Sequence, residues 1–180
     1  NMPVCEKKIL FVGEEISFAS RYRVEHFREQ LHYQGYGSDF YQVDEVKDLD
    51  WDAYRAVVCY RCSREDVVRK VVEQAKKTGL NVYYDIDDLI FDYERISYLH
   101  FLTGSEYKDF KKTTEQIHSC MELCDGYFTS TDTLAGEIRR EFPGKPVVIN
   151  RNCASMEMQI LSHDAVEQVE KDPEHISIGY

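Results

Sequence analysis

The sequence NVYYDIDDLIFDY, Asn81–Tyr93, joins an apolar run to a group of carboxylates. β-Branched and aromatic residues lead up to Asp85, and Asp87 and Asp88 follow almost at once. A continuous apolar run of this length is typical of a strand that is covered on both faces of a sheet. Carboxylates at its end can bind hydroxyl groups, hold a hard cation, carry out acid–base chemistry, or solubilise a turn.

Segments of the same apolar character recur along the chain and are separated by segments with helical spacing of apolar residues. The predicted strands are KKILFVG (7–13), GSDFYQV (37–43), YRAVVCYR (54–61), LNVYYDI (80–86), GYFTST (126–131) and KPVVIN (145–150). The predicted helices are 21–35, 63–79, 103–124, 132–142 and an acidic amphipathic segment at 156–171. This alternation predicts an α/β protein with a Rossmann-like three-layer fold and a mainly parallel sheet.

Two helix starts carry a capping-box pattern. Ser63 and Asp66 have the spacing in which a side-chain hydroxyl and a carboxyl group cap a helix that Gly79 then ends, and Thr103 and Glu106 repeat it. The hydroxyls of Thr129, Ser130 and Thr131, at the end of the fifth strand, are expected to cap the next helix.

In parallel sheets of this kind, ligands gather beyond the carboxyl ends of the strands. The acidic group after the fourth strand is therefore the centre of the predicted site, with Asp85 and Asp87 as candidate catalytic residues and His100, from a neighbouring loop, as a candidate base. The candidate binding residues near the same edge are Gly13, Glu14, Arg21, Arg23, Arg61, Asp88, Thr129, Ser130, Asn150 and Asn152.

Composition and charge exclude several classes of partner. The formal net charge of −11 opposes binding to nucleic acid or to an anionic membrane surface. No apolar run approaches the roughly 20 residues of a membrane-spanning helix, and no secretory signal is visible. Six cysteines in 180 residues do not form a disulfide scaffold, so we expect reduced thiols and a cytoplasmic location.

Cys59 and Cys62 form a Cys-x-x-Cys pair at the end of the third strand. A redox or zinc role lacks supporting residues in the sequence, and a thiol inside an apolar strand is usually a small core side chain. We expect Cys59 to be structural, and Cys62, at the strand end, to be the more reactive thiol.

Five segments in order resemble the amino-terminal half of a GT-B glycosyltransferase of the bacterial polysaccharide type. The segments are RYRVEHFREQLHYQGY, VYYDIDDLIFD, CDGYFTSTDTLAGEI, KPVVINRN and ISIGY. The resemblance runs from about residue 8 to residue 180, and the Asp-x-Asp-Asp strand end is its most specific part.

The resemblance implies a domain that binds the acceptor, a glycan or a carrier-linked sugar. Residues 1–172 would form this Rossmann-like domain, and 173–180 would begin a second domain or a linker. That second domain would bind the nucleotide-sugar donor, so this fragment would bind no cofactor or metal and would not transfer sugar alone. Many relatives have a glycine-rich turn after the first strand, whereas VGEEIS places Glu14 and Glu15 there, which disfavours a phosphate and favours a neutral sugar.

Strand alternation puts Asp85 and Asp87 on one side and Asp88 on the other. Such a pair can accept hydrogen bonds from a sugar diol or act as a general base, and Mg²⁺ is a less favoured ligand. The alternative enzyme is a phosphatase of the haloacid-dehalogenase type, with Asp85 as nucleophile, Asp87 as acid/base and Thr129 or Ser130 as the phosphate-binding hydroxyl. Leu89 departs from that motif. A non-catalytic carbohydrate-binding or regulatory module is the third possibility.

Overall fold

The chain forms a six-stranded, all-parallel sheet with helices on both faces, which confirms the predicted α/β three-layer fold. The structure is a computed structural model and describes residues 5–14, 17–96 and 104–168. The strands are β1 Cys5–Gly13, β2 Tyr36–Gln42, β3 Tyr54–Tyr60, β4 Asn81–Asp85, β5 Gly126–Thr129 and β6 Val147–Ile149. The helices are α1 Phe18–Ser20, α2 His26–Tyr33, α3 Glu65–Lys77, α4 Tyr93–Ile96, α5 Gly104–Leu123, α6 Asp132–Glu141 and α7 Met156–Gln168.

The strand order is β2-β1-β3-β4-β5-β6. The chain starts in the interior of the sheet at β1, adds β2 on one side, and then adds the remaining strands on the other side. The direction of winding therefore reverses between β1 and β3, and the carboxyl ends of these two strands border the switch point at which doubly wound sheets bind ligands.

Residues that alternate along the strands supply two cores, one on each face of the sheet. On β1, Leu10 and Val12 belong to the larger core, whereas Phe11 belongs to the smaller one. Helices α3, α5 and α6 close the larger core, and Val24 with the partly buried face of α2 closes the smaller one. Helix α7 contributes no buried residue to either.

The first helical region starts earlier than the sequence predicts and changes its winding. It begins at Phe18, where the Ser17 hydroxyl accepts a hydrogen bond from the Ser20 amide, and it passes through a π-helical stretch, Arg21–Glu25, before α2. The extra residue of a π-helical turn shifts the side chains that follow it around the helix axis. Arg23, which lies within this stretch, is fully buried.

The predicted cap at Ser63 is wrong. Helix α3 begins at Glu65, and its cap residue, Arg64, makes no side-chain capping bond. The Ser63 hydroxyl instead donates to Glu14, a residue 49 positions earlier in the chain. The predicted end of α3 is confirmed, because Gly79 has a positive φ of 73° just beyond it.

Among the described residues, no helix combines the length and the apolar character that crossing a bilayer would need.

Candidate functional site

The carboxyl edge of the sheet brings most of the candidate residues together. Gly13 ends β1, and the chain register pairs Tyr60 of β3 with Asp85 of β4, so the polar residues after these strands lie side by side. The same edge carries the residues that follow β5 and β6, since Thr129 pairs with Ile149.

A buried ion pair joins the first helical region to the end of β4. The Arg23 guanidinium donates from Nε to Asp85 Oδ1 and from Nη2 to Asp85 Oδ2, both at 2.8 Å. Its remaining nitrogen, Nη1, donates to the Asn150 carbonyl and, at 2.9 Å, to Asn152 Oδ1. Arg23 therefore connects β4 to the segment after β6. Its three partners, Asp85, Asn150 and Asn152, are all residues that the sequence predicts at this edge.

The Asp85 carboxylate is inaccessible. Its side chain is 1% exposed, and Arg23 contacts both of its oxygens. Burial raises the pKa of Asp85 to about 6, against the opposing effect of the Arg23 charge and its hydrogen bonds. With both oxygens engaged, Asp85 has the geometry of a positioning residue, and it presents no free oxygen for attack on a phosphorus or carbon centre.

The other carboxylates of the acidic stretch are held by Arg61. Its Nε donates to Asp87 Oδ1 at 3.0 Å, and its Nη2 forms ion pairs with both Asp87 and Asp88. The prediction that Asp85 and Asp87 share one side while Asp88 lies opposite is wrong, because β4 ends at Asp85 and the chain beyond it no longer alternates. Asp87 and Asp88 lie together on Arg61, and Asp88 is 58% exposed.

Arg61 itself adopts an unusual backbone conformation. Its φ of +45° makes it the one residue other than glycine with a positive φ in the described part of the chain. This conformation costs a residue with a Cβ free energy, and it recurs at functional sites where the surrounding contacts hold it. Here the two ion pairs of the Arg61 side chain supply such contacts.

Next to this group is a buried hydroxyl without a partner. Tyr60 is 3% exposed, and its hydroxyl is one of a few buried polar atoms that form no hydrogen bond among the described residues. Burial raises the pKa of Tyr60, so the hydroxyl stays protonated. A buried hydroxyl without a hydrogen-bonding partner costs free energy.

A cavity of about 380 Å³ lies at the switch point. It is lined by Glu14 after β1, by Tyr60, Arg61 and Ser63 at the end of β3, and by Ile90 beyond the acidic stretch. Its size suits a small ligand such as one sugar ring. Neither Tyr60 nor Ser63 is evident from the sequence pattern, since one reads as a core aromatic residue and the other as a helix cap.

Among the described residues, the remaining predicted site residues do not belong to the group around Arg61 and the cavity. Arg21 lines a separate cavity between α2, β2 and α7, so it is not part of this group. Thr129 and Ser130 are buried, and it is the next residue, Thr131, whose hydroxyl caps α6. His100 lies outside the described residues, as do Glu15, Thr103 and the ISIGY segment.

The cysteines differ from the prediction in one respect. Cys59 is fully buried in the larger core, which confirms its structural role. Cys62 is buried as well, so the prediction that it is the reactive thiol is wrong. Of the free cysteines that the structure describes, Cys153 is the exposed one.

The chemistry of the group favours a neutral ligand. Four carboxylates and two guanidinium groups lie at this edge, and each has an ionic or hydrogen-bonding partner within the protein. The six residues are Glu14, Arg23, Arg61, Asp85, Asp87 and Asp88. Within the described residues, no group of three or more His, Cys, Asp or Glu side chains is arranged to hold a metal ion. What the site offers is carboxylate and hydroxyl oxygens that bind hydroxyl groups.

In comparisons with known proteins, no family model matches the sequence and no curated protein matches it.

Proposed function

We propose that this chain is the acceptor-binding domain of a glycosyltransferase, which moves a sugar from a nucleotide-sugar donor to a glycan or a carrier-linked sugar. In this proposal a second domain binds the donor, and the chain described here binds the acceptor. The proposal draws on the α/β fold, on the ordered sequence segments that resemble GT-B enzymes, and on the polar group at the carboxyl edge of the sheet.

The observation that carries the proposal is the pair of carboxylates, Asp87 and Asp88, that Arg61 holds at the carboxyl edge of the sheet; Arg61 lines the cavity, whereas neither carboxylate does. Asp87 and Asp88 keep lone pairs that Arg61 does not use, and a carboxylate with free lone pairs accepts hydrogen bonds from sugar hydroxyls. Two vicinal hydroxyls of a sugar match such closely spaced acceptors.

Asp87 is the residue to which we assign the role of general base. Its side chain is 12% exposed, so it is reachable yet partly screened from water, and Arg61 fixes its orientation. A base of this kind removes the proton from the acceptor hydroxyl as that oxygen bonds to the anomeric carbon of the donor sugar, while the bond from this carbon to the phosphate oxygen breaks and the nucleotide leaves. Asp85 is a positioning residue in this proposal: it holds Arg23, and through Arg23 the chain after β6, in place.

Binding of sugars to the isolated chain tests the proposal. We expect titration of ¹⁵N-labelled protein with a panel of neutral mono- and oligosaccharides to shift the backbone amide signals of Arg61, Asp87 and Asp88 in a saturable way. The variant Asp87→Asn should weaken binding roughly tenfold or more, because a hydrogen bond to a charged group contributes about 1.5–3 kcal/mol.

A matched control removes one negative charge elsewhere. Asp164 is exposed on α7, and Asp164→Asn should leave sugar binding unchanged. Equal loss of affinity in the two variants, or the absence of any saturable shift across the panel, would contradict the proposal. Hydrolysis of p-nitrophenyl phosphate that Asp85→Asn abolishes would contradict it too, and would favour the phosphatase alternative.

A further inference from the structure

A carboxylate of the chain itself occupies the amino-terminal end of α3. Glu14 Oε1 accepts hydrogen bonds from the backbone amides of Ser63 and Arg64, the latter at 2.8 Å. The Ser63 hydroxyl donates to both carboxylate oxygens, at 3.1 and 2.9 Å. Because Glu14 lies 49 residues before Ser63, this contact is made by the tertiary fold and is not a local helix cap.

The position of this contact is the one in which α/β proteins bind phosphate. Backbone N–H groups at the start of a helix lack partners within the helix and lie at the positive end of its dipole, so they bind anions. In doubly wound sheets this happens at the switch point, here between β1 and β3. Glu14 therefore uses the two amides that lead into α3, those of Ser63 and Arg64, together with the Ser63 hydroxyl, and it places a negative charge at the position that a phosphate would take.

Among the described residues around Glu14, the nearby cations are already paired with carboxylates. Arg61, which lines the same cavity as Glu14, is paired with both Asp87 and Asp88. The first turn of α3 carries the two further carboxylates of Glu65 and Asp66, and Arg64 pairs with Asp44. A phosphate entering the cavity would meet excess negative charge and occupied donors.

We propose that Glu14 is a specificity-determining residue that excludes phosphate-bearing ligands from the cavity at the switch point. Because the Glu14 carboxylate takes the position that a phosphate would occupy, the cavity accepts only ligands whose bound part is uncharged. The inference does not depend on the transferase proposal. If that proposal holds, the phosphates of a carrier-linked acceptor lie outside this cavity and only its sugar enters.

Titration with inorganic phosphate and with pyrophosphate tests the inference. In the unaltered chain we expect no saturable shift of the Ser63 and Arg64 amide signals. In Glu14→Ala the freed donors should bind the anions, with an affinity at least tenfold higher than in the unaltered chain, and bound pyrophosphate should raise the melting temperature of the variant.

The control is Glu73→Ala. Glu73 is exposed on the same helix, further along α3, and its replacement makes the same change in net charge without freeing the helix terminus. Phosphate binding that is equal in Glu14→Ala and Glu73→Ala, or saturable binding to Ser63 and Arg64 in the unaltered chain, would overturn the inference. If Glu14→Ala does not fold, Glu14→Gln keeps the side-chain shape, and it should still bind pyrophosphate more tightly than Glu73→Ala does.

Discussion

At the scale of single residues, Arg23 and Asp85 form an ion pair from which water is excluded. Taking two charges out of water is costly, and the pair is stable only because Arg23 also satisfies the Asn150 carbonyl and the Asn152 amide oxygen. A pair of this kind adds little net stability over an apolar replacement of both partners, but removing one partner leaves a buried charge without compensation. Its effect is to fix the end of β4 relative to the first helical region.

Arg23→Met should therefore destabilise the domain by about 3–5 kcal/mol, measured by urea denaturation at neutral pH. Arg69→Met is the matched control, because Arg69 forms an exposed ion pair with Glu65 and its loss should cost less than about 1 kcal/mol. The double variant Arg23→Met/Asp85→Leu should be more stable than Arg23→Met alone. Similar free energies of unfolding for the Arg23 and Arg69 variants would show that the buried pair is not formed.

At the scale of helices and strands, the turns after helices set where each strand can start. Gly79 ends α3 with a φ of 73°, and β4 starts at Asn81, so the reversal occupies very few residues. A residue with a Cβ in this left-handed conformation is strained, even though no heavy atom lies within 4 Å of a Cβ built at Gly79. The requirement at this position is conformational rather than steric.

Gly136 provides a comparison within a helix interior. It lies in α6, and a Cβ built there also meets nothing within 4 Å, but its φ is not positive. We expect Gly79→Ala to lower the free energy of unfolding by about 1 kcal/mol, and Gly136→Ala to raise it by about 0.5–1 kcal/mol. Thermal and urea denaturation of the two variants measure the difference. Changes of the same sign would contradict this account of the α3 turn.

At the scale of the whole molecule, one sheet separates two cores of unequal size. The strand β1 contributes Leu10 to the larger core and Phe11 to the smaller one, and both side chains are fully buried. Since adjacent residues of one strand support both cores, neither core can lose its packing without disturbing the other. The domain should unfold as a single cooperative unit.

Leu10→Ala and Phe11→Ala should each destabilise the domain by about 3–5 kcal/mol while keeping a single transition with an unchanged dependence on denaturant. Val148→Ala, at a position that is 47% exposed on the edge strand β6, should cost less than about 1 kcal/mol. Urea denaturation monitored by both circular dichroism and tyrosine fluorescence distinguishes one transition from two. Two separate transitions in either core variant would show that the faces unfold independently.

Much of the architecture was predictable because it depends on local patterns. The apolar runs of the strands, the helical spacing of residues such as Val68 and Ile117, and the glycines that end α2 and α3 all reflect interactions within a few residues along the chain. The predicted edge for the polar residues followed from the parallel topology alone. The π-helical stretch at Arg21–Glu25 was not predictable, because no local residue preference in this segment indicates a π-helical turn.

The sequence by itself determined the α/β class, the parallel sheet and the edge at which Asp85, Asp87 and Asp88 lie, since periodicity and strand ends depend on neighbouring residues. Only the tertiary structure decided which acidic side chain pairs with which basic side chain or helix start. It separated Asp85 from its neighbours by pairing it with Arg23, 62 positions away, and it moved Glu14 onto the start of α3. Charged side chains of the same type are interchangeable in a sequence pattern. Desolvation and hydrogen-bond geometry distinguish them, and both exist only after the distant segments have packed.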